Sequence, residues 1–311
     1  MLAVVFTTAV TVAQAAAAPA GSGSLGIRLL EDPAAGNDPR ALLYIIDHVA
    51  PGSRIDRRVE VSNSTRSTAQ VSMYASAATI VEGSFIGSEG RTANDLSTWT
   101  TVTPGTVALP ANGKRMVDVS IRVPADAPPG EQYGVVWAEV SSDPGAGSIT
   151  QVSRVGVRLY VSVGPGGAPA ADFTIGSLTA DRSPEGLPVV QASVENTGGR
   201  ALDINGTLSL TNGPGGLSAG PFPAQLGNTL APGDMQGVTF ALGRDFPAGP
   251  WDAEVTVSSG LLERVSSATF TFPGVGAAVP ASTPWWPYAL GALVLLLLAG
   301  LLALLLRRRR T

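Results

Sequence analysis

Three runs between residues 25 and 163 alternate apolar and polar side chains with a period of two. Val59 and Val61 alternate with Arg58, Glu60 and Ser62; Val117, Val119, Ile121 and Val123 alternate with Met116, Asp118, Ser120 and Arg122. In the third run Val155, Val157, Leu159 and Val161 alternate with Arg154, Gly156, Arg158 and Tyr160. Successive side chains of an extended chain point to opposite faces, so the pattern predicts half-buried antiparallel strands. The breaks between runs carry turn residues, as in Ala50-Pro51-Gly52, Asn63-Ser64-Thr65, Pro110-Ala111-Asn112-Gly113 and Ala127-Pro128-Pro129-Gly130. Proline and glycine there set turn geometry and stop strands.

The order repeats further along. Val190, Ala192 and Val194 alternate before Asn196-Thr197-Gly198-Gly199, and Leu202, Ile204, Leu208 and Leu210 follow. Leu109-Pro110-Ala111-Asn112-Gly113, Pro128-Pro129-Gly130 and Trp137-Ala138-Glu139-Val140 match Leu230-Ala231-Pro232-Gly233, Pro247-Ala248-Gly249 and Trp251-Asp252-Ala253-Glu254-Val255 in order. The expected fold class is all-β: two tandem immunoglobulin-like β-sandwiches at residues 24–164 and 170–272. The non-periodic Gly164 to Ala170 stretch marks the boundary. Trp137, in a valine-rich strand, is expected to fill the first core.

The two ends read differently. Leu2 to Val12 is apolar and Ala15 to Ala20 supplies small residues, so residues 1–20 read as a signal peptide. No Lys or Arg precedes Arg28, which leaves an N-terminal anchor as the alternative. Residues 273–287 form a Pro/Gly/Ala spacer, and residues 288–306 are almost purely Leu, Ala, Val and Gly, long enough to cross a bilayer as a helix. Trp285, Trp286 and Tyr288 at one end and Arg307, Arg308, Arg309 and Arg310 at the other are expected to sit at the membrane interfaces. Residues 307–311 form a basic tail. This pattern predicts a single-pass cell-membrane protein with its N-terminal domains extracellular and its tail cytoplasmic.

Composition narrows the function classes. With 14% charged residues and a net charge of -4, the chain offers no broad basic surface, so nucleic acid is excluded as a partner. The absence of Cys excludes disulfides, thiolate metal sites and a cysteine nucleophile. His48 is the only histidine and reads as a strand-surface residue, and no serine reads as standing in a strand-turn-helix elbow of the Gly-x-Ser-x-Gly kind. Carboxylate chemistry through Glu82, Glu89, Asp95 or Glu131 is the one remaining catalytic option. The chain is expected to be non-enzymatic, without cofactor or metal. Asn63-Ser64-Thr65 and Asn205-Gly206-Thr207 fit the glycosylation pattern and read as turns.

Arg28-Leu29-Leu30, the run Tyr44 to Gly52, Arg57 to Asn63, Asn94 to Trp99 and Tyr133 to Glu139 together resemble the WxL-interacting protein family. That resemblance implies a signal peptide, a peptidoglycan-binding β-sandwich, a second β-sandwich, one membrane helix and a basic tail. It further implies that the first domain binds peptidoglycan or a wall-associated protein, as an adhesion or scaffolding module.

The polar segment from Gly87 to Thr98 ends on Trp99 and reads as a recognition loop. Arg91, Asn94, Asp95 and Trp99 are its candidate ligand-binding residues, against the reading of a loop pinned by a buried Trp99. A second functional class stays open: an exported assembly factor, or chaperone-like module, that binds client proteins by β-strand addition.

Overall fold

The computed structural model describes residues 24–30, 39–141, 151–225 and 229–274. The described residues are nearly all-β, with 59% of them in strands and one α-helix among them.

The first half carries β1 (Leu25–Leu29), β2 (Ile45–Val49), β3 (Arg54–Asn63), β4 (Ala69–Val81), β5 (Ser84–Gly87), α1 (Asp95–Trp99), β6 (Thr100–Thr103), β7 (Thr106–Leu109), β8 (Lys114–Arg122), β9 (Gly130–Ser141) and β10 (Val152–Val163). One sheet has the order β1-β3-β8-β6; the other runs β2-β10-β9-β4-β5, with β7 also on β4. The alternating valines do what their period dictates. Val59, Val61, Val117, Val119, Ile121, Val157, Leu159 and Val161 meet between the two sheets in one buried core. Asp47 of β2 and Arg57 of β3 also point between the sheets, where they pair at 2.5 Å. Burial pushes the Asp47 carboxyl up, and the Arg57 guanidinium pulls it partway back.

The second half carries β11 (Phe173–Ile175), β12 (Thr179–Arg182), β13 (Pro188–Asn196), β14 (Leu202–Asp203), β15 (Asn205–Thr211), β16 (Ala219–Pro223), β17 (Thr229–Leu230), β18 (Met235–Ala241), β19 (Trp251–Ser259) and β20 (Leu262–Phe270). β13 is flanked by β11 and β12 on one side and β18 on the other, and a second sheet has the order β16-β15-β19-β20. Their core is separate from the first and includes Val190, Val194, Leu208, Leu210, Phe240 and Trp251. Trp251 fills this core, where Phe246 stacks on it at 4.8 Å.

Trp137, the matching residue of the first half, does not. It lies on the outer face of its sheet, a correction to the expected core position. On β9 the even residues Val136 and Ala138 face the core, so the odd Trp137 faces out by the pleat alone. Tyr160, patterned as solvent-facing, is only 1% exposed, because Tyr44, Phe85 and Tyr133 pack around it together with Ala201 of the second half.

The described residues up to Phe272 form one compact unit. Among the described residues no helix is long and apolar enough to cross a membrane. The expected signal peptide, the membrane helix at 288–306, Trp285, Trp286, Tyr288 and Arg307 to Arg310 lie outside the described residues.

Candidate functional site

β10 pairs with β9 along its whole length, Val152 to Val163, but with β2 only from Leu159 to Val163. The reason lies upstream of β2. The N–H groups of Leu43 and Tyr44 both donate to the carbonyl of Arg40, closing a helical turn at Pro39–Leu42 that carries the chain away from the sheet. β2 therefore joins the edge at Ile45, and Val152 to Arg158 have no neighbouring strand on that side among the described residues. This open edge is about 23 Å long at the ordinary strand rise of ~3.3 Å per residue. Val157 faces the core, Val155 is half-buried, and Arg154, Gly156 and Arg158 face outward.

The outward face beside the open edge is aromatic and cationic. Trp137 lies flat across Gly87 and Gly156: a Cβ at Gly156 would stand 2.7 Å from its Cε3 and one at Gly87 2.6 Å from its Cζ2. Only glycine leaves the indole that room. The Trp137 Nε1–H donates to the Ser88 carbonyl at 3.2 Å, and the Arg154 guanidinium sits 5.5 Å from the ring and pairs with Glu89 at 3.2 Å. Next to it the Tyr74 hydroxyl donates to Glu139 at 2.5 Å, while Arg91 covers the Tyr74 ring at 4.6 Å. Burial, reinforced by Glu139, raises the Tyr74 hydroxyl above its ordinary value.

At its lower end the open edge meets the second sandwich. Arg158 is packed between Phe85 (4.8 Å) and Tyr44 (5.1 Å), donates to Tyr160 and Thr229 hydroxyls at 3.3 Å, and stands 3.9 Å from Asp203. Arg40 donates to the Ala201 carbonyl at 2.8 Å, and Glu131 accepts the Ala201 N–H at 2.6 Å and the Tyr133 hydroxyl at 2.9 Å. Burial dominates the titration of this joint. It raises the Glu131 carboxyl against the pull of its hydrogen bonds and of Arg40 and Arg200. Tyr160 is pushed up to about 12 by burial and by Asp203, and Tyr133 is raised too, by burial and Glu131.

The four expected ligand residues do not share one surface. Asn94 caps α1: its Oδ1 accepts the Ser97 N–H at 2.9 Å, and its own N–H donates to Ser97 Oγ at 2.8 Å. Its Nδ2 donates to the Tyr133 carbonyl at 2.7 Å, so every polar atom of the side chain is engaged in the fold. Trp99 packs against the first core, Asp95 is exposed in the first turn of α1, and Arg91 alone reaches the aromatic face, over Tyr74. Sequence reasoning missed the open edge and the outward Trp137. The signals were Gly156, opposite Trp137 in register, and the parity of Trp137 relative to Val136 and Ala138. Among the described residues no three His, Cys, Asp or Glu side chains gather as a metal would require.

No family model and no curated relative matches the chain. Solved structures do. The E. coli chaperone DraB matches with a TM-score of 0.40 at 14% identity, covering 80% of this chain and 97% of its own. The Salmonella enterica SafA pilin in complex with the SafB chaperone gives 0.41 at 13%, covering 80% and 96%. The Pseudomonas aeruginosa CupB2 chaperone gives 0.39 at 12%, covering 73% and 98%. At this level of similarity the function has to be argued from the chain's own geometry.

These findings correct three expectations. Peptidoglycan or a wall-associated protein as the ligand of the first sandwich is withdrawn, because the candidate ligand-binding residues are divided between a helix cap, a core contact and a separate face. The bilayer as a partner and the single-pass cell-membrane placement are withdrawn with it: no helix among the described residues is long and apolar enough to cross a membrane, and residues 288–306 lie outside them.

Proposed function

We propose that this chain is a chaperone-like assembly factor built on two immunoglobulin-like sandwiches, which binds an extended segment of a client protein by adding it as a strand to β10. One observation carries the reading: Val152 to Arg158 is a regular strand whose outer side has no paired neighbour among the described residues. Unpaired N–H and C=O groups along such an edge are a template for main-chain pairing.

The other edges support the choice by contrast. β16 contains Pro221 and Pro223, which cannot donate to a ladder. β1 and β6 are short, at 5 and 4 residues. On β20, Arg264 bonds Asp172 across the edge at 2.8 Å, a charge placed where an added strand would run. The open part of β10 has neither proline nor such a guard.

A photo-reactive residue at the exposed Ser153, in cells making the full chain, tests this. Cross-links to other proteins should form at Ser153 and be absent from the same probe at Phe222 on β16. Equal capture at both positions, or none at Ser153, sinks the reading.

A further inference from the structure

The outer face of the other sheet, remote from the β10 edge, carries a concavity of about 510 Å³. Its floor and rim come from outward positions on β3, β8 and β6 in register. Arg54 stands directly opposite Arg122, Asp56 opposite Ser120, and Arg58 opposite Asp118, with Thr101 and Thr103 on β6 beside Ser120 and Asp118.

Two features of this face are unfavourable as they stand. Like charges directly opposite each other on a sheet repel, so the Arg54–Arg122 pair costs stability. The Ser120 hydroxyl is buried beside Asp56, whose carboxyl it helps hold low, without reaching full hydrogen-bond geometry. Arg54 is partly neutralised by Asp56, at 2.8 Å, and that bond is the first cause holding Asp56 below the ordinary carboxylate range. Arg58 has Asp118 across from it. Arg122, at the mouth of the concavity, has no hydrogen-bond partner among the described residues.

We propose that this trough is a phosphoryl-binding site, with Arg54 and Arg122 on either side of one oxyanion and the Ser120 and Thr101 hydroxyls donating from the floor. A phosphoryl group is favoured over a carboxylate by count. Two guanidinium forks and two hydroxyls offer more donors than the two oxygens of a carboxylate accept, whereas a tetrahedral phosphate presents acceptors toward all of them. The bound anion also turns the repelling arginines into a bridged pair and offers the Ser120 hydroxyl an acceptor at full hydrogen-bond geometry. The site is independent of strand addition at β10.

The test is a titration of the full chain with inorganic phosphate at about 0.15 M salt, where loose surface attraction is screened within ~8 Å. Saturable binding is expected, with amide shifts confined to β3, β6 and β8. Arg122→Gln should weaken it about tenfold or more, the loss of one charge-assisted contact. Without phosphate the same variant should melt no lower than the parent, since it removes a repulsion, and this separates lost binding from lost folding. Glycerol phosphate in a parallel arm ranks a phosphate monoester against the free ion, and saturable binding of either one supports the site. Phosphate affinity unchanged in Arg122→Gln, or acetate binding as tightly as phosphate, overturns it.

Discussion

Asn63 and Asn196 hold the same position in the two sandwiches, each at the last residue of its strand and almost completely buried. Asn63 Nδ2 donates to the carbonyls of Ser67 at 2.8 Å and Leu109 at 3.1 Å; Asn196 Nδ2 donates to those of Arg200 and Leu230, both at 2.9 Å. Each Oδ1 accepts the N–H two residues on, from Thr65 at 2.9 Å and Gly198 at 3.0 Å. One amide thus closes a turn and ties it to a leucine on a distant strand, in both halves.

Removing either amide leaves several buried main-chain groups unpaired, at about 1–3 kcal/mol for each uncompensated group. Asn63→Ala and Asn196→Ala should each lower stability by about 2–3 kcal/mol in urea denaturation. Asn→Asp should fare no better at either site, since an ionised carboxylate has no donor for the two carbonyls. Parental stability in either alanine variant would show that water replaces the amide.

The Trp137 indole depends on the bare Cα of Gly156. Gly156→Val should displace the ring and cost about 1–3 kcal/mol, the range for overpacking a filled site. Trp137→Ala should cancel the indole's share of that cost, Val135 Cγ2 standing equally close at 2.7 Å, so a double-mutant cycle reads a coupling above zero. An additive cycle would mean the two side chains do not meet.

Asp203 takes the Thr229 hydroxyl at 2.7 Å and lies 3.8 Å and 3.9 Å from Arg40 and Arg158. Asp203→Ala should destabilise the chain by about 1–3 kcal/mol, because it removes the carboxylate that two partly buried arginines approach and leaves the Thr229 hydroxyl without its acceptor. Asp203→Asn retains an acceptor for Thr229 and should lose less. The ranking is read from denaturation midpoints of the two variants.

Glu131 gives the chain a pH dependence of definite sign. Its carboxyl is raised by burial in the folded state, so the folded chain holds that proton more tightly than the unfolded one. The resulting stability is fully present below the unfolded value of about 4.3 and is lost as pH rises through the folded-state value. Asp47 is raised for the same reason and acts in the same direction. Denaturation midpoints of the parent should therefore drift down above about pH 4.3 relative to those of Glu131→Gln, which carries no titrating group there. A difference curve that is flat, or that rises with pH, contradicts the assignment.

The valine runs made the strands of the first sandwich legible, because a core between two sheets selects one side of each strand. Val59, Val119 and Leu159 are buried as their period requires. The repeat of turn residues likewise pointed to the shared Asn63 and Asn196 turns. What periodicity leaves undecided is which polar-side residues a neighbouring sandwich covers. Tyr160 alternates like a surface residue and is buried by residues distant in sequence. The open edge was hidden for a related reason: pairing of β10 with β2 is set by where a helical turn at Arg40 ends, a local event with no signature in β10 itself. Trp137 was misplaced because its type was weighed above its parity in the strand.

Arg40 and Glu131 hold Ala201 of the second sandwich by its carbonyl and its N–H, main-chain atoms both, and Arg40 adds a 3.8 Å approach to Asp203. The contact at position 201 is thus written in peptide atoms that every amino acid except proline supplies. Drift at position 201 among small residues should leave the joint intact, whereas a proline, lacking the N–H that Glu131 needs, should unfasten it.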